Sequence, residues 1–191
     1  MMNLVVAVNG QVYAKESGSL LLKVGNFVIR ILCDNQSVEK CSVGDEIELH
    51  THLEFNQNEI VLYGFLSKEK LHVFEKILKV SKIGPKTALK ILGIVEPEEL
   101  VHLIVNANVE KLSHIQGIGK KTAERLIAEL KDEHFELEST YSSELFDAVE
   151  ALVALGFSRS ESLESARSVY KNKMSTEQIV KEALKKLSKR V

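Results

Sequence analysis

The sequence contains no tryptophan, 2 prolines and 2 cysteines in 191 residues. Cys33 and Cys41 form neither a CxxC pair nor a disulfide framework, so we expect reduced thiols in a cytosolic protein. The N-terminus has no basic start, and its apolar run is too short for a signal peptide or a membrane span. We therefore expect no membrane association.

A nucleotide-hydrolysis loop is also missing. Around Gly119 and Lys120, a Walker A motif would need serine or threonine where Lys121 stands and glycine where His114 stands. No group of acidic residues has the spacing of a metal-dependent nuclease. We expect no catalytic residue, no metal and no cofactor in this chain.

What the sequence does contain is one stretch that occurs twice. Residues 80–92 read VSKIGPKTALKIL, and residues 115–127 read IQGIGKKTAERLI, at an offset of 35 residues. The identical pairs are Ile83/Ile118, Gly84/Gly119, Lys86/Lys121, Thr87/Thr122 and Ala88/Ala123. The pattern predicts a tight turn followed by a helix, in two copies.

Each copy has the residues of a phosphate-binding helix start. Backbone N–H groups there have no intrahelical acceptor, and the helix dipole adds positive potential. Glycine allows close approach to that backbone, isoleucine can anchor the turn in the core, and lysine and threonine add a charge and a donor. None of these groups reads a base edge, so the pattern predicts sequence-independent contacts with nucleic-acid phosphates. The alternative is that Gly84 and Gly119 only shape turns, but it would have to hold twice in register.

The net charge of -2 hides an uneven distribution. Residues 1–66 carry 4 basic and 8 acidic side chains, whereas residues 67–132, which hold the repeat, carry 12 and 9. Four lysines and no acid lie between residues 79 and 90. A basic patch in a mildly acidic chain indicates a localised anion site.

Hydrophobic periodicity divides the chain into three structured segments. Strands are predicted at Leu4–Val8, Leu20–Val24, Asn26–Leu32, Glu46–His50 and Ile60–Tyr63, with turns that include Asn9-Gly10 and a two-residue hairpin at Gly25-Asn26. This pattern is typical of a small OB-like barrel. Helices are then predicted at 68–79, 85–92, 97–105, 108–114 and 120–131. After an acidic linker, three amphipathic helices follow, with capping boxes at Ser158 and Ser175.

The stretch GIGKKTAERLIAELKD at residues 117–132 resembles the second helix-hairpin-helix of the RuvA family, the Holliday-junction-binding subunits of bacterial branch-migration complexes. The resemblance covers the whole chain. It includes Leu62-Tyr63-Gly64-Phe65 after the strands, the paired hairpins, and the stretch from Leu152 to Phe157. Either hairpin alone is unspecific, because many DNA-repair proteins carry one.

The resemblance implies an α+β multidomain protein. Residues 1–66 would form an OB-fold barrel, 67–132 a tandem helix-hairpin-helix domain, 133–143 a linker, and 144–191 a UBA-like three-helix bundle. It implies a non-catalytic homotetramer, or two tetramers face to face, that binds four-way junction DNA. The motor would be a separate hexameric AAA+ ATPase docked on the third domain. Whether a junction resolvase also binds is left open.

Three groups of site residues follow from the repeat and the resemblance. The DNA-binding group is Lys82, Ile83, Gly84, Pro85, Lys86, Thr87, Gly117, Ile118, Gly119, Lys120, Lys121, Thr122 and Arg125. The junction-centre turn is Glu54, Asn56, Gln57, Asn58 and Glu59. The motor-binding group is Leu152, Leu155, Phe157 and Leu184.

The sequence departs from the family pattern in three places. Lys82 stands where the first hairpin usually begins with glycine. The turn before the Leu62-Tyr63 stretch, 56–58, lacks the adjacent acids that the family places there to part the DNA strands. The opening strand around Val5 has neither the basic residues nor the early glycine of the family, so no DNA contact is carried over to it.

Two other functions compete with this interpretation. A structure-specific repair nuclease or glycosylase could use the hairpins for docking, but it would need a carboxylate cluster or a reactive lysine in a cleft. An OB-fold RNA-binding or interaction module would need aromatic side chains for base stacking, and aromatic residues make up only 6% of this chain.

Overall fold

The computed structural model describes residues 4–55, 59–133, 135, 143–171 and 174–188. The chain divides into two compact units, residues 1–138 and residues 139–191. The finer domain boundaries at residues 66, 132 and 143 stay predictions. Most of the predicted linker, residues 134 and 136–142, lies outside the described residues.

Five strands form a closed barrel in the first unit: β1 Ala7–Glu16, β2 Ser19–Val24, β3 Phe27–Leu32, β4 Glu46–Phe55 and β5 Ile60–Phe65. Their order around the barrel is β1-β2-β3-β5-β4. Neighbouring strands are antiparallel, except that β3 and β5 run parallel where Leu32 pairs with Tyr63. Leu20, Leu22 and Leu49 are fully buried inside. The predicted five-stranded OB-type barrel is confirmed.

The position of β1 corrects the prediction of a strand over Leu4–Val8 and a turn at Asn9-Gly10. The strand begins at Ala7 and continues through Gly10 to Glu16. A methyl group on Gly10 would lie 2.6 Å from the carbonyl oxygen of Lys23 on β2. Gly10 is therefore not a turn residue. Glycine stands here because the backbone of the neighbouring strand approaches too closely for a side chain.

The hairpin at Gly25-Asn26 is confirmed, because Val24 pairs with Phe27 across it and Gly25 has a φ of +57°. Strands β4 and β5 both run further than predicted, to Phe55 and Phe65. Sequence periodicity also missed a short helix, α1 Asn35–Lys40, between β3 and β4.

Five helices follow the barrel: α2 Lys68–Leu78, α3 Pro85–Leu92, α4 Pro97–Val105, α5 Val109–His114 and α6 Lys120–Leu130. Their bounds match the predicted bounds within one residue. The side chains of Ser67 and Asn108 accept hydrogen bonds from backbone N–H groups in the first turns of α2 and α5, as expected for N-caps. The helices form two helix-turn-helix pairs, α2–α3 and α5–α6, joined by α4.

The helices share a hydrophobic core with the last barrel strand, β5, whereas the barrel interior forms a cluster of its own. Phe74 of α2 packs against two side chains of β5, with ring centroids 4.8 Å from Phe65 and 5.5 Å from Tyr63. From Phe74 the core continues through Ile77 to Leu126 of α6. Such continuous burial makes the position of the hairpins depend on the barrel.

A buried ion pair also connects the barrel to the helices. The Nζ of Lys70 on α2 lies 3.2 Å from Oδ2 of Asp34, and the Asp34 side chain is fully buried. Asp34 also accepts hydrogen bonds from the backbone N–H and the hydroxyl of Ser37, at 3.0 and 2.7 Å. The carboxylate thus caps α1 and neutralises the lysine at the same time.

The second unit is a bundle of three helices: α7 Ser143–Ala154, α8 Arg159–Val169 and α9 Thr176–Leu187. Both predicted capping boxes are present, Ser158 with Glu161 and Ser175 with Gln178. Gly156 ends α7 with a φ of +98°. The core of this small unit includes Leu145, Leu152, Leu163, Ile179 and Ala183.

We expect Lys70→Met to destabilise the first unit by about 3–5 kcal/mol, because it leaves the buried Asp34 carboxylate without a counter-charge. Arg30→Gln is a matched control. The Arg30–Glu16 pair has the same 3.2 Å separation, but its side chains are 63% and 45% exposed, so its loss should change stability by at most about 1 kcal/mol. Native-state hydrogen exchange of the β4 and β5 amides measures both effects. Equal losses would contradict a special role for the buried pair.

Candidate nucleic-acid interface

The turn between α2 and α3 is held by a buried isoleucine. Ile83 is 6% exposed, and its backbone N–H donates to the carbonyl of Val80 at 3.2 Å. Gly84 follows as the N-cap of α3, with a φ of -93° and a ψ of 170°, and Pro85 is the first helical residue. The anchor therefore fixes the direction in which α3 begins.

The turn between α5 and α6 has the same construction. Ile118 is 2% exposed, and its N–H donates to the carbonyl of Ile115 at 2.9 Å. Gly119 is the N-cap of α6, with a φ of -85° and a ψ of 167°. The sequence repeat is thus a structural repeat, with cap angles that differ by less than about 10°.

Neither cap glycine is required by the fold. Both have backbone angles that any residue adopts, and a methyl group on either Gly84 or Gly119 would have no neighbour within 4 Å. The effect of glycine at these positions is to leave the helix start open from outside. This arrangement suits a ligand that contacts the backbone itself.

Intrahelical hydrogen bonding begins only at the threonines. The N–H of Thr87 donates to the carbonyl of Gly84 at 3.0 Å, and the N–H of Thr122 donates to that of Gly119 at 2.9 Å. The N–H groups before them belong to the set that a helix start leaves without an intrahelical acceptor. Pro85 has no N–H, so the first turn offers one amide donor fewer than the second, which has Lys120 at that position.

The predicted cations surround these turns. Lys82, Lys86, Lys120 and Lys121 are exposed, as is Thr87, whereas Arg125 and Thr122 are half-buried. Lys82 has a φ of +65°, the left-handed region in which Gly117 of the second turn also lies, at +98°. A side chain in that region costs about 1–2 kcal/mol. The first turn therefore carries backbone strain that the second avoids.

A side-chain contact links the first turn to the C-terminal end of α6. Glu129 of α6 accepts a hydrogen bond from the backbone N–H of Ser81 at 3.2 Å and another from its hydroxyl at 2.9 Å. In the last turn of α2, Lys76 pairs with Glu133, and this hydrogen bond lowers the pKa of Glu133. The two helix starts consequently belong to one block.

The structure adds Lys90 to the residues near the interface. Lys90 lies one helical turn beyond Lys86 on α3, and its Cδ would be 3.9 Å from a methyl group on Gly117. A lysine of the first hairpin thus lies against the turn of the second. The spacing of Lys86 and Lys90 places both on one helix face, but sequence alone did not show that this face meets the second turn.

Two acids flank the predicted junction-centre turn, whose residues 56–58 lie outside the described residues. Glu54 is near the end of β4, and Glu59 just precedes β5. Burial, together with Glu59 and with Glu54, which accepts a hydrogen bond from the Tyr63 hydroxyl, raises the pKa of Tyr63 to about 12. The two carboxylates therefore lie close to one buried phenol at the base of this hairpin.

The predicted motor-binding residues lie at different depths in the second unit. Leu152 is fully buried in the bundle core, whereas Leu155 is 61% exposed. Phe157 and Leu184 are half-buried and line a groove of about 720 Å³ together with Ala151 and Val180. Leu152 therefore supports the bundle from inside, and its role in a partner contact stays a prediction.

Within the described ranges, no helix is long and apolar enough to cross a membrane. In the same residues, no three histidine, cysteine or acidic side chains come together as metal ligands.

Three protein-family descriptions match the chain. "RuvA N terminal domain" matches residues 5–64, "SAM-like Helix-hairpin-helix tandem" matches residues 74–132, and "RuvA, C-terminal domain" matches residues 144–188. The three matches fall on the barrel, the paired hairpins and the bundle, respectively.

Full-length relatives give the same result. The chain is 41% identical to a Thermotoga petrophila protein over 189 residues, which cover 98% of this chain and 100% of the relative. It is 42% identical to a Fervidobacterium nodosum protein over 185 residues, covering 95% and 97%. An Alkaliphilus oremlandii protein is 40% identical over 178 residues, covering 89% and 92%. All three are named Holliday junction branch migration complex subunit RuvA. The chain belongs to the RuvA family.

Proposed function

We propose that this chain is a scaffold that binds four-way junction DNA through backbone phosphates and brings a motor to it for branch migration in recombination and repair. The observation that carries the proposal is the pair of helix starts with near-identical geometry, each with an unobstructed cap glycine and each anchored by a buried isoleucine. The names of the full-length relatives support the same function.

Phosphate is the ligand that fits the chemistry of these turns. A phosphate oxygen accepts hydrogen bonds from the free amides and is attracted by the helix dipole. Lysines around each turn add charge and release counterions from the DNA. Because these groups contact no base edge, binding is independent of sequence and selects the shape of the DNA.

Binding to all arms of a junction requires several copies of this pair of phosphate-binding helix starts. Each chain has one pair of helix starts on a single block, which serves one duplex arm. Four arms therefore call for four chains, and we propose a homotetramer, alone or as two tetramers face to face. In this arrangement the acids Glu54 and Glu59 would lie toward the junction centre, where carboxylates repel phosphates.

The motor in this proposal is a separate hexameric AAA+ ATPase. The chain itself has no nucleotide-hydrolysis loop in its sequence, so the energy for branch migration has to come from a partner. The second unit offers an apolar surface of Leu155, Phe157 and Leu184 with lysines at the edge of its groove. Exposed apolar side chains of this kind are typical protein-binding anchors.

A titration with four-way, three-way and linear DNA of equal length tests the proposal, with light scattering to measure the mass of each complex. We expect the highest affinity for the four-way junction and a mass that corresponds to four or eight chains. Equal affinity for junction and linear duplex would refute the scaffold function. Metal-dependent cleavage of the junction by the pure chain would favour the rival repair enzyme.

The double variant Gly84→Ser/Gly119→Ser should lose affinity for all DNA substrates by about tenfold or more, because the new side chains displace phosphates from the charged hydrogen bonds of the amides. Serine is a better N-cap than glycine, and both sites have room for its side chain. Thermal stability should therefore be kept or slightly raised, which excludes unfolding as the cause. Undiminished binding would show that the cap amides make no phosphate contact.

Lys82→Gly should change stability and affinity in opposite directions. Removal of left-handed strain, about 1–2 kcal/mol, outweighs the extra backbone entropy of glycine, about 0.5–1 kcal/mol, so the variant should be more stable by about 0.5–1 kcal/mol. The slope of log affinity against log salt is negative, and its magnitude should decrease by about 0.9, the value for one phosphate. Lys82→Asn, which tolerates the same φ without charge, is the control for the backbone. An unchanged slope would show that Lys82 contacts no phosphate.

Leu155→Ala should weaken binding of the ATPase about tenfold, as expected for an interface anchor, while unfolding of the bundle changes by less than about 0.5 kcal/mol. Leu152→Ala is the contrasting variant, because the same truncation at a fully buried site should destabilise the bundle by about 2–5 kcal/mol. Calorimetric titration with the purified ATPase measures binding, and chemical denaturation measures stability. Full ATPase affinity in Leu155→Ala would place the motor contact elsewhere.

A further inference from the structure

A cleft of about 290 Å³ lies in the first unit between the barrel and both hairpins. Its lining includes Gly18 and Asn35 from the barrel side, Lys86 and Lys90 from α3, and Gln116 from the turn before α6. The two lysines are one helical turn apart and therefore project from the same side of α3. This cleft is the place where the first hairpin, the second hairpin and the barrel meet.

The charge of the cleft is positive. Lys86 and Lys90 are both exposed lysines, and the acidic group in the lining is Asp34. That carboxylate is fully buried, lies 3.2 Å from Lys70 Nζ, and accepts two hydrogen bonds from Ser37. Lys70 therefore neutralises the charge of Asp34. An anion that enters the cleft meets two ammonium groups and the side-chain amides of Asn35 and Gln116.

The size of the cleft limits the ligand. Sites for drug-sized molecules measure about 300–1,000 Å³, so a cleft of about 290 Å³ suits a phosphate group with part of its hydration rather than a whole nucleotide. Lysine binds phosphate as a point charge. Side-chain amides, which donate without adding charge, can complete the hydrogen bonds of such a group.

Contact with the second turn distinguishes Lys90 from an ordinary surface lysine. Its Cδ is close enough to Gly117 that a methyl group there would be 3.9 Å away. The nearby turn limits the space open to the stem of Lys90, so that less rotamer entropy is lost when the ammonium group binds a ligand. Lys86, in the first turn of α3, and Gln116, in the turn before α6, bring both hairpins to the lining of the same cleft.

We propose that this cleft is a third phosphate subsite, with Lys90 as its principal cation, between the two phosphate-binding helix starts. It rests on the proposed function where the phosphate belongs to DNA, but the chemistry is shared with any free phosphate ester. The subsite joins the two helix starts, so that the phosphates bound at the helix starts and in the cleft lie on one continuous positive surface.

Three variants of the full chain test the subsite. Lys90→Gln removes the charge but keeps a methylene stem against Gly117, and Lys90→Arg keeps the charge. Lys131→Gln is the control, since Lys131 is exposed and lies at the opposite end of α6 from Gly119, about 18 Å along the helix axis. For binding to the four-way junction, we expect the magnitude of the slope of log affinity against log salt to decrease by about 0.9 in Lys90→Gln. The other two variants should keep the wild-type slope.

A second measurement identifies the source of the phosphate. Inorganic phosphate, compared with chloride at equal ionic strength, should raise the thermal midpoint of the wild-type chain more than that of Lys90→Gln, because only a ligand of the folded state stabilises it. If the phosphate effect depends on Lys90 while the junction slope does not, the subsite is supported and belongs to a free phosphate ester. If neither effect depends on Lys90, the subsite is refuted.

These outcomes are separable from those of the proposed function. A wild-type chain that fails to bind junction DNA would overturn the scaffold function, and the phosphate measurement would still decide the cleft. Conversely, the wild-type chain could bind the junction while Lys90→Gln leaves both the salt slope and the phosphate response unchanged. That result would support the scaffold function and refute the subsite.

Discussion

The burial of one isoleucine in each hairpin turn is the interaction on which the proposed DNA-binding surface depends. Ile83 and Ile118 are inserted into the same core, and each fixes the residue that follows it as a helix cap. Without that anchor, a cap glycine with open space around it would be a flexible point in the chain, since glycine has the largest backbone entropy to lose. The anchor turns an unobstructed amide into a positioned one, which is what recognition of a phosphate requires.

The remaining structure extends this positioning from one turn to the whole unit. Phe74 joins α2 to the barrel strand β5, and the Lys70–Asp34 pair adds an electrostatic contact at the same junction of barrel and helices. Glu129 connects α6 back to the first turn. Close-packed contacts of this kind transmit position with little compliance. Both helix starts thereby keep a fixed separation, and under the proposed function that separation is what favours one DNA shape.

Local signals explain why the five helices after the barrel were predictable to within one residue. Ser67, Asn108, Pro85 and Pro97 mark helix starts through short-range hydrogen bonding and steric fit, which are properties of the sequence itself. The repeat likewise showed both cap glycines and both anchors before any coordinates. The barrel was predictable as a class of fold, because alternation of apolar residues and the Gly25-Asn26 turn are also local features.

What the sequence could not show depends on contacts between distant segments. Gly10 resembles a turn glycine until Lys23 of the neighbouring strand is placed beside it. Lys90 resembles a solvated lysine until the second turn is packed against α3, and Leu152 resembles Leu155 until the bundle buries one of the two. The left-handed φ of Lys82 was equally hidden, since lysine at that position gives no local sign of the conformation that Gly117 makes obvious.

Closure of the barrel restricts how copies of this chain can associate. β3 and β5 pair only at Leu32 and Tyr63, whereas the other neighbouring strands pair over five or six residues. The β3–β5 side is therefore the place where a strand of another chain finds the most unpaired backbone donors and acceptors. Elsewhere around the barrel the antiparallel ladders are longer, and another copy would meet side-chain surfaces there, whose shape and charge are set residue by residue. Substitutions on those surfaces leave the backbone hydrogen bonds of the barrel in place.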